Sequence, residues 1–277
     1  QPVCGPARAC LQTGKYATEI GCHTNHRRLP PDEVTLAHRL SERGYDTAYI
    51  GKWHLASCGP REGADDFRTK PVPPERRGGY DYWLASDVLE FTSHGYDGYM
   101  FDSDGKKREF PAGRYRVDAQ TDWVLEYLNS HKPGRPFFLF ASYIEPHHQN
   151  DHGHFEGPHG SKERFKEYVV PGDLEGTAGD WQEEYPDYLG CIHSLDRNLG
   201  RIREALEQRG LWENTLLIYT SDHGSHFRTR NAEYKRSCRE GCIRIPLVAH
   251  GPGFKGGQRP GELVSLIDLP PTLLQAA

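Results

Sequence analysis

The chain has 277 residues, 36% of them hydrophobic and 11% aromatic, with a formal net charge of −5. That length suits one large α/β domain or two small ones, the aromatic content argues against disorder, and the mild negative charge with no evident basic face gives no reason to expect a nucleic-acid partner. No apolar run approaches the roughly 18 residues that would span a membrane, and the seven cysteines, with no CxxC spacing, describe neither a zinc ribbon nor a complete disulfide framework and read mostly as buried free thiols.

In chain order, Cys4-Gly5-Pro6-Ala7-Arg8 leads into a short helix expected over about residues 7–13. Pro30-Pro31 with Asp32 and Glu33 predicts a second helix, with Leu36, Ala37 and Leu40 as its buried stripe and Gly44 as its stop. Thr47 to Ile50 reads as a strand running into Gly51-Lys52-Trp53-His54-Leu55. Residues 56–112, rich in Gly, Pro and charge, are expected as long surface loops, with room for a small hairpin. Val117–His131 is predicted helical and Phe137–Ala141 an all-apolar strand. Leu189, Ile192, Leu195, Leu199, Ile202 and Leu206 repeat at helical spacing, Gly210 ends that helix, and Leu216–Tyr219 forms a strand; Ile245–Ala249 reads as another. Asp268 is the expected N-cap of a last helix. The chain opens on Gln1 and stops at Ala277 within a helix-like run, so residues 1–277 read as one internal stretch of a catalytic domain, truncated at both ends.

Helices alternating with short apolar strands predict an α/β fold, a mostly parallel mixed sheet sandwiched by helices. In such sheets ligands bind at the carboxyl ends of the strands. Three polar clusters fall there: Lys52 with His54, His147 with His148, and Asp222 with His223. Lys, His and Asp from three separate loops at one sheet edge point to an anion and metal site. His152, His154 and His159 fit no ligand spacing and read as substrate-loop or surface histidines.

The motifs narrow this further. Cys4-Gly5-Pro6-Ala7-Arg8, with Leu11 and then Thr13-Gly14-Lys15, resembles the signature of type I, formylglycine-dependent sulfatases, the arylsulfatase-like branch of the alkaline-phosphatase superfamily; Ala7 stands where that family usually has Ser. Gly51-Lys52-Trp53-His54-Leu55 is similar to the family's GKWHLG, with Ala56 in place of the last Gly. Pro146-His147, Ser221-Asp222-His223-Gly224, and Lys235 ahead of Glu240-Gly241-Cys242-Ile243-Arg244 follow in the family's order, as does the Ser265–Leu274 run.

The resemblance implies hydrolysis of sulfate esters, on a carbohydrate by the family's habit. Cys4, oxidised to formylglycine, would be the nucleophile, since a hydrated aldehyde carries two hydroxyls on one carbon, one to accept the sulfuryl group and one to expel it. Arg8, Lys52, His54, His147 and Lys235 would share the catalytic work. Lys15 and His148 would bind substrate, with Lys15 beside Arg8 orienting the diol. An imidazole near its ordinary pKa of about 6.5 suits His147 to protonating the leaving oxygen; His148 is the alternative. Asp222, His223 and the modified Cys4 would hold Ca²⁺, or Mg²⁺ in its place; the family's further acidic pair lies ahead of the Cys motif, in a first strand missing from these residues along with a C-terminal subdomain. A formylglycine-generating enzyme would be the maturation partner, a sulfated small molecule or glycan the substrate, and an exported or lysosomal location the family norm. Two readings compete: a phosphodiesterase or phosphonate hydrolase of the same superfamily, and a sulfated-glycan-binding protein in which Cys4 stays a thiol.

Overall fold

The computed structural model describes residues 2–59 and 65–277. Helix α1 (Cys4–Thr13) and the short α2 (Leu36–Ser41) precede β1 (Asp46–Lys52). The α1 helix begins earlier than expected because Pro6 is tolerated in its first turn, where the missing N–H has no helical partner in any case. The α2 helix begins later than expected. Pro30-Pro31 lie outside it, and Thr35 caps it by accepting the His38 N–H while the His38 ring receives the Thr35 N–H.

The expected loop region contains a strand. After β1 come β2 (Tyr82–Ser86), β3 (Tyr99–Asp102) and β4 (Lys107–Glu109), then α3 (Arg116–Ser130) and β5 (Phe137–Ser142). The five strands form one mixed sheet in the order β4-β3-β2-β1-β5; β1 runs parallel to β2 and β5, and the β3–β4 hairpin closes the β2 side antiparallel. Alternation along β1 divides the core in two. Tyr49 joins Trp53, Trp83 and Tyr80 on one face, while Ala48 and Ile50 join Leu84, Trp123, Val124 and Leu128 on the other. Helix α3 covers the second face, and the long α5 (Trp181–Gln208) packs against α3.

Beyond β5, a small hairpin of β6 (His148–Gln149) and β7 (His154–Phe155) leads through α4 (Ser161–Arg164) to α5 (Trp181–Gln208), and β8 (Leu217–Thr220) follows. The chain continues through α6 (Glu240–Ile243) and β9 (Leu247–His250), which pairs antiparallel with β8, to α7 (Leu269–Ala276) against α1 and α2. Among the described residues β8 and β9 form a sheet separate from the first. A cleft of about 1050 Å³ lies between β5 and β8, lined by Phe138, Phe140, Ile218 and Tyr219 and reaching Arg8, Asp222 and His223 at one end. Apolar side chains of β5 and β8 are therefore only partly buried, unlike those of β1.

Candidate active site

Cys4 occupies the first turn of α1 and is 1% exposed. The Gly5 N–H, one of the helix's unpaired donors, is capped by Asn25 Oδ1 at 2.8 Å. The carboxyl ends of β1, β5 and β8 deliver the remaining groups, as the sheet pattern requires.

Lys52, the last residue of β1, reaches to 3.8 Å from Cys4 Sγ, and its Nζ lies 2.9 Å from Glu90 Oε2. Its route inward depends on Gly51. That residue has φ of 122°, and a Cβ there would lie 1.9 Å from the Ser142 carbonyl oxygen across the β1–β5 pair. His54 follows in a left-handed conformation (φ 59°), and its buried Nδ1 has no partner among the described residues. Such strain in a non-glycine residue persists only where surrounding bonds impose it, and here Asp87 imposes it. The His54 N–H donates to the Asp87 carbonyl at 2.6 Å, while the Asp87 carboxylate accepts the N–H groups of Leu55, Ala56 and Ser57 at 2.8–3.0 Å.

From the segment after β5, Arg116 holds Glu145 in a buried ion pair at 2.8 Å, and His147 follows the cis Glu145–Pro146 peptide. His147 Nε2 faces Lys235 Nζ at 2.9 Å, and the same Nζ lies 3.2 Å from Cys4 Sγ. His223 Nε2 is 3.2 Å from Cys4 Sγ. Asp222 pairs with Arg8 Nε at 3.1 Å, and Arg8 Nη1 donates to the Lys52 carbonyl and Ser142 Oγ, both at 2.7 Å. Arg8 thus ties α1, β1, β5 and the segment after β8 into one unit.

Electrostatics follow from this geometry. Burial opposes ionisation of Cys4, yet Lys52, Lys235 and His223, with the His147 contact, outweigh it and hold the thiol well below its ordinary range. Burial and the charges of Lys52 and Lys235 push His147 down to about 4, against Glu90 and Cys4, so the unliganded imidazole is neutral at pH 7. This departs from the expected value near 6.5, because the ring is buried and two lysines face it. His223 is raised, as Asp222 and Cys4 overcome the effect of burial.

The structure therefore brings Cys4, Arg8, Lys52, His147, Asp222, His223 and Lys235 together, with His54 at the end of the same β1 segment. It corrects the expectation for Lys15. That residue lies past the far end of α1, about 15 Å of helix from Cys4, where it pairs with Glu33 on the surface at 2.7 Å. It separates the adjacent histidines as well: His148 sits beside His147 but contacts Arg228 (3.4 Å) and Asn150 (3.3 Å) and stacks on Tyr234, leaving His147 in contact with Lys235. Sequence reasoning missed Glu90 and Asp87, both in the segment read as surface loop; a signal was available in the apolar run Trp83-Leu84-Ala85 just ahead of them.

One ligand atom each from Cys4, Asp222 and His223 lies within 4.8 Å of the others. A Ca²⁺ ion takes about six to eight oxygens, whereas these side chains offer one carboxylate, one imidazole and the side chain at position 4. They fit one edge of a divalent-cation shell and do not complete it.

The family model described as Sulfatase matches residues 1–277. An ulvan-active sulfatase of Formosa agariphila is 30% identical over 99% of this chain and 52% of its own length. An N-acetylglucosamine-6-O-sulfatase of Bacteroides thetaiotaomicron is 25% identical over 99% of the chain and 59% of its own. A solved sulfatase-like protein of Bacteroides fragilis superposes with a TM-score of 0.81 at 26% identity, over 99% of this chain and 63% of its own. The chain thus spans little more than half the length of the two relatives.

Proposed function

As the chain belongs to the sulfatase family, we propose that its parent protein hydrolyses sulfate esters carried by a carbohydrate. The observation that carries this reading is the convergence of Lys235 (3.2 Å), His223 (3.2 Å) and Lys52 (3.8 Å) on one buried side-chain atom, Cys4 Sγ, at the start of a helix. A thiol buried for packing alone has no use for two lysines. A group that transfers an anion does, because the charge on the transferring oxygens is held by donors already in place.

In this proposal position 4 is formylglycine, whose hydrate supplies one hydroxyl to attack sulfur and a second whose deprotonation expels sulfate. Lys52 and Lys235 hold the non-bridging sulfate oxygens. His54 offers its partnerless Nδ1 to the bound group. Arg8 fixes α1 against Asp222 and so aims position 4 into the pocket. His147 gains its proton only with substrate present: the ester's negative charge offsets the two lysines that depress the ring, and the imidazolium then passes that proton to the leaving oxygen.

Asp222 and His223 would hold one side of a divalent cation, Ca²⁺ or Mg²⁺, whose charge would polarise the nucleophile. We further propose that the cleft between β5 and β8 receives a strand from outside residues 1–277 that brings the remaining acidic ligands, because unpaired strand edges with half-buried apolar faces invite such pairing. Maturation by a formylglycine-generating enzyme and export complete the reading; no helix among the described residues is long and apolar enough to cross a membrane.

The test uses the full-length protein expressed with the maturation system. A peptide containing position 4 should have lost one H₂S and gained one O. Nitrophenyl sulfate should turn over faster than nitrophenyl phosphate mono- and diesters. An unmodified Cys4, or faster phosphodiester cleavage, overturns the proposal in favour of a binding protein or a phosphodiesterase respectively.

A further inference from the structure

Away from Cys4, the β6–β7 hairpin gathers imidazoles that the proposed reaction does not use. His148 pairs with Phe155 and Gln149 with His154 across the hairpin, leaving residues 150–153 as its turn. Two overlapping groups of metal-ligating atoms meet there, His152, His154 and Glu156 in one, His94, Asp151 and His152 in the other, with the donor atoms of each group within 4.8 Å of one another. Linear spacing conceals this cluster. His94 opens the 94–97 turn within the β2–β3 connection, and Glu156 is locked to that turn by accepting the Gly95 N–H at 2.7 Å.

We propose that this hairpin turn is a binding site for a divalent metal of the zinc class, with His152, His154 and Glu156 as ligands. Two imidazole nitrogens and a carboxylate oxygen are an established zinc donor set, and the fourth position is open to water. Ligands about 2.0–2.1 Å from a tetrahedral ion lie about 3.3 Å apart, so drawing them in from 4.8 Å requires only side-chain adjustment, and both histidines are exposed.

The local hydrogen bonds prepare the imidazoles. His154 Nδ1 lies 2.9 Å from the Phe155 carbonyl, which can only accept; Nδ1 therefore carries the proton and Nε2 presents a lone pair. His152 Nδ1 faces the Glu156 carboxylate directly, so these two ligands are adjacent before an ion enters between them. On the flank, His94 lies between Asp97 and Asp151, 2.9 Å from each, and stacks on the His152 ring at 4.2 Å. Asp151, held by Gln149 Nε2 at 2.8 Å, adds negative charge beside the ion without entering its shell. An ion here would staple the hairpin whose first strand begins at His148, next to the His147 of the pocket, and so tie that segment to the 94–97 turn. The site depends on none of the residues around Cys4, and its existence does not rest on the sulfatase reaction.

Calorimetric titration of Zn²⁺ into full-length protein stripped by EDTA tests it, run on the His223→Ala background so that the pocket around Cys4 does not contribute. One site of micromolar affinity or tighter is expected. His152→Ala and His154→Ala should each weaken it about tenfold or more, and His159→Ala, a nearby exposed histidine outside the cluster, should leave it unchanged. Co²⁺ in place of Zn²⁺ should give a visible absorption band that His152→Ala removes. Absence of binding to the parent protein, equal binding by the His152 and His154 variants, or equal loss in His159→Ala overturns the proposal.

Discussion

Lys235 Nζ lies 3.2 Å from Cys4 Sγ and 2.9 Å from His147 Nε2, joining two side chains that are 231 and 88 residues away from it in the chain. Lys235 is 4% exposed, and in the proposed reaction it is a donor fixed in place before the anion arrives. Removing one such preorganised donor costs about 10²–10³ in kcat. Lys235→Ala in the matured full-length protein should therefore lose about that factor against a nitrophenyl sulfate, with an unchanged circular dichroism spectrum. A loss below about tenfold would assign Lys235 a packing role.

How far that pocket was legible depends on how local each determinant is. Apolar periodicity placed α3, β5, β8 and the end of α5 within a few residues, because each buries a continuous stripe or run, while α5 begins at Trp181, ahead of the Leu189–Leu206 stripe. Strand ends then located Lys52, His147 and Asp222. Lys15 misled because a motif contiguous in sequence extends along a helix, and the helix carries its last residues away from its first. Strand β2 was hidden by the Gly, Pro and charge around it, and with it went Asp87 and Glu90, whose roles exist only once β2 lies beside β1. The neutral state of His147 was not legible either, since Lys52 and Lys235 approach it from distant parts of the chain, the end of β1 and the segment after β8.

Cys4→Ser separates the covalent mechanism from simple binding. A serine hydroxyl can accept the sulfuryl group but has no second hydroxyl to expel it. The variant should release one equivalent of nitrophenol per protein and then stop, its intact mass increased by one SO₃. Continued turnover would show that the second hydroxyl is dispensable.

Glu90 places a carboxylate 2.9 Å from Lys52 inside the pocket proposed to hold an anion. Despite burial, Lys52 and the nearby His147 and His54 hold Glu90 ionised, well below the usual carboxylate range. Its negative charge steadies Lys52 while also weakening retention of product sulfate. Glu90→Gln should tighten inhibition by inorganic sulfate about tenfold, the effect of one unit charge several ångströms away in a partly screened site, and lower kcat as Lys52 loses its anchor. Weaker sulfate inhibition would contradict this division of labour.

Gly51 tests the close approach of β1 and β5. Its φ of 122° is unfavourable for a side chain, and the Cβ of an alanine would stand 1.9 Å from the Ser142 carbonyl oxygen. Backbone must move at the point where Lys52 and Ser142 take their positions. Gly51→Ala should destabilise the fold by about 3 kcal/mol or more, combining strain of about 1–3 kcal/mol with loss of strand pairing. Urea denaturation measures this, and a change below about 1 kcal/mol would mean that the two strands separate easily.

His147 gives the fold a pH dependence whose sign can be worked out. Its folded-state pKa is about 4, against an ordinary value of 6.5. Between these values the unfolded chain binds a proton that the folded chain excludes, so stability falls as pH is lowered from about 6.5 to about 4 and levels off below. The full span corresponds to about 3 kcal/mol. His223, raised in the folded state by Asp222 and Cys4 against burial, works the other way: its contribution is complete below its unfolded value and is lost as pH rises through its folded one. Replacing His147 by Gln should therefore flatten the fall in Tm between pH 6.5 and pH 4, while His223→Gln should leave that fall as it is and remove instead a loss of stability that sets in above pH 6.5. Bound sulfate should mimic the first substitution, because an anion between Lys52 and Lys235 removes the repulsion that keeps His147 neutral. If sulfate leaves the Tm-against-pH slope of the parent protein unchanged, the substrate-dependent protonation of His147 is wrong and the leaving oxygen takes its proton from another group.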